Sequence, residues 1–258
     1  MRGDAALCLR RAGALAHRRA TALPLVWRAF VAPEPASDPL PMGSVVEVDG
    51  LRMRVDPGLS PANLRKLTSG RHTRHERALL MGALRGGDRV LELGGGIGMV
   101  SAACALRLGS GSVTTYEANP ALEGIMRDNH ALNGVAPEIR MAMVGERAGT
   151  RTLHVAAMFS HSSVYEVGET ERRVEVPVHD FAAVLAELRP SVLVVDIQGA
   201  EREPFLWRAL DGVRLVLVEL HPDIVGLRGM LAIRRRLRAL GFRDAARAGN
   251  AYLHERAV

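Results

Sequence analysis

Short apolar runs along the chain alternate with stretches whose apolar residues recur every three or four positions, the pattern of strands alternating with helices. Arg89–Leu93 is a short apolar run with one carboxylate, Glu92, near its end, and Met99–Leu108 continues in helix-forming residues until Gly109 stops it. A second strand, Ser112–Tyr116, ends in Glu117. Asn119-Pro120 then supplies an N-cap amide with proline at the first helical position, and Gly134 is the matching stop. Glu138–Val144 reads as a third strand, and Thr150–Ala157 and Arg172–Val178 as two more around the polar loop Ser160–Ser163. Asp180 caps a helix whose Phe181, Val184, Leu185 and Leu188 fall at i, i+3, i+4 and i+7. Ser191–Val195 is the most apolar strand and must be buried on both faces, as central parallel strands are. Arg214–Leu220 is another strand, Leu227–Leu240 an amphipathic helix stopped by Gly241, and the tail from Phe242 a closing antiparallel pair.

Upstream of these units, Val45–Val48 and Leu51–Val55 alternate around Asp49-Gly50, which predicts a β-hairpin packed on the edge of the main domain. Thr73 followed by Glu76 predicts a capping box and a helix over 74–85. Arg71, His72 and Arg74 lie just before it, either as a solvated basic turn or as cations over a ligand's carboxylate. Residues 33–41 are too proline-rich for a helix or central strand and read as a linker. The predicted organisation is a helical extension and linker over 1–42 and one α/β domain over 43–258.

Charge changes this picture little. The formal balance is +6, but residues 1–33 carry six arginines against the single acid Asp4, so the folded part is nearly neutral and no nucleic-acid partner is expected. That arginine-rich segment reads in three ways: a peripheral membrane or partner-docking helix, a targeting peptide, or a helical extension packed on the domain, which is the preferred reading. No apolar run approaches the ~20 residues that span a bilayer. The two cysteines, Cys8 and Cys104, make no disulfide framework, so a reducing, cytoplasmic setting is expected. The histidines show no metal-site spacing, and no metal is expected.

Candidate chemistry gathers where strands end. Gly94-Gly95-Gly96-Ile97-Gly98 joins the first strand to its helix, and glycines there allow a sharp turn, positive φ and close approach of a ligand. Met99 stands where a dinucleotide fingerprint needs glycine or alanine, which disfavours a nicotinamide oxidoreductase. Glu92, Gly94, Gly96 and Gly98 instead give acidic-x-G-x-G-x-G, similar to the first motif of class I S-adenosylmethionine-dependent methyltransferases. Glu117, about 20 residues beyond the glycines, is placed for ribose hydroxyls. Asp196, at the end of the apolar strand, should point into the same crevice, with Glu219, His221 and Asp223 at the next strand's end.

Assembled, these residues resemble the FkbM-type methyltransferase family. The resemblance covers roughly residues 70–225 and rests on Val90–Gly98, Tyr116–Pro120, Asp128–Gly134, Ser162-Ser163, Val192–Glu201 and Val218–Pro222. It implies an α/β, Rossmann-like class I methyltransferase fold: a mostly parallel seven-stranded sheet, helices on both faces, and an N-terminal helical and hairpin extension. It implies S-adenosylmethionine as cofactor and transfer of its methyl group to a hydroxyl of a natural product or saccharide. The implied cofactor residues are Glu92, Gly94, Gly96, Gly98, Glu117, Ala118, Val144 and Gly145. The candidates for the chemistry are Asp196, His221 and Glu201, with His179 and His161 as lesser candidates for the base. Two departures stand out: the first motif lacks the family's asparagine, and Gln198 replaces an acidic residue. The alternatives are a catalytically inactive binding protein of the same fold or, less favoured, the nicotinamide oxidoreductase.

Overall fold

In a computed structural model of the chain, the described residues are 41, 43–55, 59, 61–155 and 172–257. The N-terminal extension, most of the linker, and the Ser160–Ser163 loop with His161 lie outside them.

The central element is a seven-stranded mixed sheet. Its strands are β3 (Val90–Leu93), β4 (Val113–Tyr116), β5 (Glu138–Arg140), β9 (Val192–Val195), β10 (Leu215–Glu219), β11 (Phe242–Ala248) and β12 (Ala251–Arg256). Their spatial order is β11-β12-β10-β9-β3-β4-β5. The pairings from β10 through to β5 are parallel, and β12 runs antiparallel to both β10 and β11. Helix α1 (Pro61–Thr68) precedes them, and helices α2 (Arg74–Ala83), α3 (Met99–Leu108), α4 (Glu123–Leu132), α5 (Phe181–Leu188) and α6 (Pro222–Ala239) connect or flank these strands.

Strand alternation divides the core into two layers. Leu91, Leu93, Leu193, Val195, Val216 and Val218 pack with Phe181 and Val184 of α5 and Ile233 and Leu237 of α6. Val90, Val192, Val194, Leu215 and Leu217 face the other way, onto Leu79 and Leu80 of α2 and Val100 and Cys104 of α3. Helices therefore cover both faces, and Val192–Val195 is buried throughout. Truncating Leu193, fully buried here, to alanine would cost about 2–5 kcal/mol.

Local signals act largely as the sequence predicts. Gly109 follows α3 at φ 90. Asn119 Oδ1 accepts from the Ala121 amide, and Asp180 Oδ1 from Ala183 N at 2.9 Å. Asp49 and Gly50, at φ 50 and 80, make the tight turn between β1 (Val45–Val48) and β2 (Leu51–Arg54). Gly226, at φ 69 and ψ 161, kinks α6 just before the predicted start at Leu227.

Two expectations are corrected, the cap at Thr73 and the single strand over 138–144. Thr73 does not cap α2: its φ of 47 is left-handed, it makes no side-chain cap bond, and its Oγ1 is buried without a partner. The hairpin packs on helix α4, where Asn133 Oδ1 and Asn129 Oδ1 accept from Arg52 N and Arg54 N and Asn133 Nδ2 donates to Arg52 O. The stretch 138–144 is not one strand. It bends at Met141-Ala142, so β5 stays in the main sheet while β6 (Met143–Gly145) joins a second sheet with β7 (Gly149–Val155) and β8 (Arg172–Asp180). No helix among the described residues is long and apolar enough to cross a membrane.

Candidate active site

Because β3, β4, β9 and β10 run parallel, their carboxyl ends lie along one edge of the sheet, and an open cleft of about 1210 Å³ lies there. Of the residues singled out from sequence, Glu92, Gly94, Gly96, Glu117, Ala118, Val144 and Asp196 line it. Gly98 and Gly145 do not. Gly98 starts α3 at φ 81, where a Cβ would meet His130 Nε2 at 2.7 Å; a Cβ on Gly145 would meet Val178 Cγ1 at 2.5 Å. At both positions a side chain would overlap a packed neighbour.

The glycine turn is built by its neighbours. Gly94 N and Gly95 N donate to Tyr116 O, and Gly96 N donates to Glu117 Oε2 at 2.8 Å. Glu117 Oε1 accepts from Asn119 N at 2.7 Å, so this carboxylate fastens the turn to the end of β4 while lining the cleft. Burial raises its pKa, against the pull of these amides. Glu92 is 2% exposed with Oε2 unpartnered, and burial pushes it up to about 8.

At the other side of the cleft, the loop after β9 carries Asp196. Gln198, in a left-handed conformation at φ 52, donates from Nε2 to Asp196 Oδ1 at 2.9 Å. His221 Nε2 lies 3.6 Å from the same oxygen. His221 Nδ1 is 3.0 Å from Oε1 of Glu201. Glu201 is fully buried and accepts the amides of Ile197 and Gly199 as well, so it stands behind the loop and outside the cleft. Its oxygens are taken up by the loop amides and His221, the arrangement of an orienting residue.

Two acids join this group from elsewhere. Glu219 ends β10 and is hydrogen-bonded with Asp196 and with Glu76 of α2. Burial first, and the neighbouring carboxyls after it, raise the pKa of both Asp196 and Glu219. Burial opposes the charge on His221, but Glu201 and Asp196 outweigh it and raise its pKa. Glu219 was legible as an ionisable group at a strand end. Glu76 was not, since the capping-box pattern gave it another task.

Of the basic turn before α2, His72 lines the cleft and Arg71 and Arg74 do not. Burial, with Lys66 and Arg77 nearby, pulls His72 down to about 4, so it faces the cleft uncharged near neutral pH. His179 is held against the Tyr116 hydroxyl at 3.1 Å, away from Asp196's group.

The family model of the FkbM methyltransferase domain matches residues 88–243, more than half of the chain and the whole span from the start of β3 to the start of β11. The chain belongs to the FkbM methyltransferase family. Membership makes S-adenosylmethionine its cofactor, and the seven-stranded sheet with helices on both faces is the class I methyltransferase fold of that family.

No match is found among curated protein sequences. Among solved structures, this methyltransferase is similar to the tRNA (uracil-54, C5)-methyltransferase of Pyrococcus abyssi at 14% identity and a TM-score of 0.46. That match covers 82% of this chain but only 43% of the Pyrococcus chain. It is also similar to a ribosomal protein L11 methylase from Lactobacillus delbrueckii subsp. bulgaricus, at 12% identity and a TM-score of 0.45, covering 89% and 93% of the two chains. A methyltransferase from Pyrococcus furiosus matches at 15% identity and a TM-score of 0.42, covering 81% and 91%.

Proposed function

We propose that this methyltransferase methylates a hydroxyl oxygen of a small-molecule or saccharide acceptor. When bound, S-adenosylmethionine supplies an electrophilic methyl group. The remaining work belongs to the protein: binding donor and acceptor, aligning them, and removing a proton from the hydroxyl.

The donor side is assigned to the ends of β3, β4 and β6. The unpartnered oxygen of buried Glu92 suits an ammonium group, whose positive charge would hold the carboxyl in its anionic form against the burial that raises its pKa. Each Glu117 oxygen accepts a backbone amide yet keeps a second lone pair for a ribose hydroxyl. Ala118 and Val144 line the cleft beside it and offer apolar surface to an adenine.

The observation that carries the hydroxyl reading is the ordering of Glu201, His221 and Asp196. A neutral hydroxyl is a poor nucleophile, so a group at the methyl end must draw off its proton. Glu201 takes up His221 Nδ1, which leaves Nε2 on the side of Asp196, and Asp196 lines the cleft. This supports Asp196, in the cleft lining, as the group that meets the hydroxyl, with His221 behind it and Glu201 as a positioning residue.

Incubation with methyl-labelled S-adenosylmethionine and a panel of hydroxylated sugars and natural products tests this. Label should appear on oxygen, and Asp196→Asn should lower turnover at least about 100-fold. Label on nitrogen, carbon or a polynucleotide would contradict it.

A further inference from the structure

We infer that Asp196, Glu219 and His221 form a binding site for one divalent cation of the Mn2+ or Mg2+ class, beside the donor part of the cleft. One ligand atom from each residue lies within 4.8 Å of the others, close enough for side-chain rotation to bring all three onto one ion. The backbone that delivers them is fixed. Asp196 follows β9, Glu219 ends β10, His221 lies two residues further on, and the two strands are paired in parallel through Val195 and Val218.

The histidine distinguishes this group from a chance gathering of acids. Glu201, fully buried, takes up His221 Nδ1 at 3.0 Å, which leaves Nε2 as the ring nitrogen facing Asp196 Oδ1 at 3.6 Å. That separation is beyond hydrogen-bond distance, and a cation taking the place of a ring proton would bridge it. The order carboxylate, imidazole, ion is also the way metal-binding histidines are generally held, with the outer carboxylate setting the tautomer and ring orientation. Asp196 has an outer partner too, the Gln198 amide at 2.9 Å. Glu219 has one in Glu76.

Two carboxylates and one imidazole make an oxygen-rich donor set, which suits Mn2+ or Mg2+ and not a thiolate-seeking metal. Such ions prefer six ligands, so three positions remain for water or an acceptor oxygen from the cleft. What the ion does there rests on the hydroxyl reading proposed above. An acceptor hydroxyl bound to the cation loses its proton to water in the cleft more readily, so Asp196 and His221 act on it through the ion. Cation binding itself does not depend on that reading.

The test uses the full-length protein, stripped with a chelator and titrated with Mn2+ while free Mn2+ is followed by electron paramagnetic resonance. One ion should bind per chain and be displaced by Mg2+. Glu219→Gln and His221→Ala should each weaken Mn2+ at least about ten-fold. Calorimetry with S-adenosylhomocysteine, unchanged within about three-fold, shows that both variants remain folded. Absence of saturable Mn2+ binding by the wild type overturns the site, as does equal affinity in wild type and both variants. Mn2+ binding without any S-adenosylhomocysteine binding would instead remove the methyl-donor reading and leave the cation site standing.

Discussion

Gly94 shows how one residue couples the two sides of the cleft. A glycine-rich turn suggests room for a ligand, yet a Cβ on Gly94 would lie 1.7 Å from the Asp196 carbonyl oxygen, and its φ is 91. The glycine is demanded by the neighbouring loop, which carries Asp196. Gly94→Ala should therefore destabilise the protein by about 3 kcal/mol or more through strain and overlap, read as a lowered melting temperature. An unchanged melt would mean that the turn and the β9 loop are not in contact. The acids at strand ends, Glu92, Glu117, Asp196 and Glu219, were legible in sequence because strand direction alone places them on one edge. The task of Glu201 was not legible. Its meaning lies in the amides of Ile197 and Gly199 and in His221 20 residues away, and local sequence shows none of these contacts. The same holds for the cation donors, which come from separate strands and so carry no metal-site spacing.

At the scale of elements, the predicted units formed wherever the signal was local: the helix stopped by Gly109, the cap at Asp180, and the Asp49-Gly50 turn. Failures occurred where tertiary partners competed. Glu76 should have closed a capping box but is drawn to Glu219, and Thr73 adopts a left-handed conformation incompatible with that box. The hairpin's position was equally hidden, because it depends on two asparagines 75 to 81 residues away that imitate a strand edge. Asn133 accepts from Arg52 N and donates to Arg52 O. Asn133→Ala should cost about 1–2 kcal/mol and speed amide exchange in the hairpin while sparing the central sheet. Equal effects on both would show that the hairpin is not an independent unit of stability.

For the whole molecule, the two-layered core carries buried histidines whose neutrality matters for stability. Burial pulls both His130 and His254 down to about 4 from the 6.5 of an exposed imidazole. At these two rings the unfolded chain binds more protons than the folded one, so their contribution to stability is full above about pH 6.5 and is lost as pH falls toward 4. The raised carboxyls of Glu92 and Asp196 act in the opposite sense over this range, so the histidine contribution is read as a difference: between pH 7.5 and 5 the melting temperature of the wild type should fall relative to that of His130→Gln. A difference between the two proteins that stays constant over that range would contradict the burial of His130.

The account turns on a division of the cleft, with the methyl donor held by the ends of β3 and β4 and the acceptor hydroxyl met by the group around Asp196. Calorimetric titration with S-adenosylhomocysteine, using NADH as control, tests that division directly. Wild type and Asp196→Asn should bind S-adenosylhomocysteine with affinities within about three-fold, Glu117→Ala should lose binding, and none should bind NADH. Loss of S-adenosylhomocysteine binding in Asp196→Asn, with Glu117→Ala unaffected, would place the donor on the wrong side of the cleft and contradict the account.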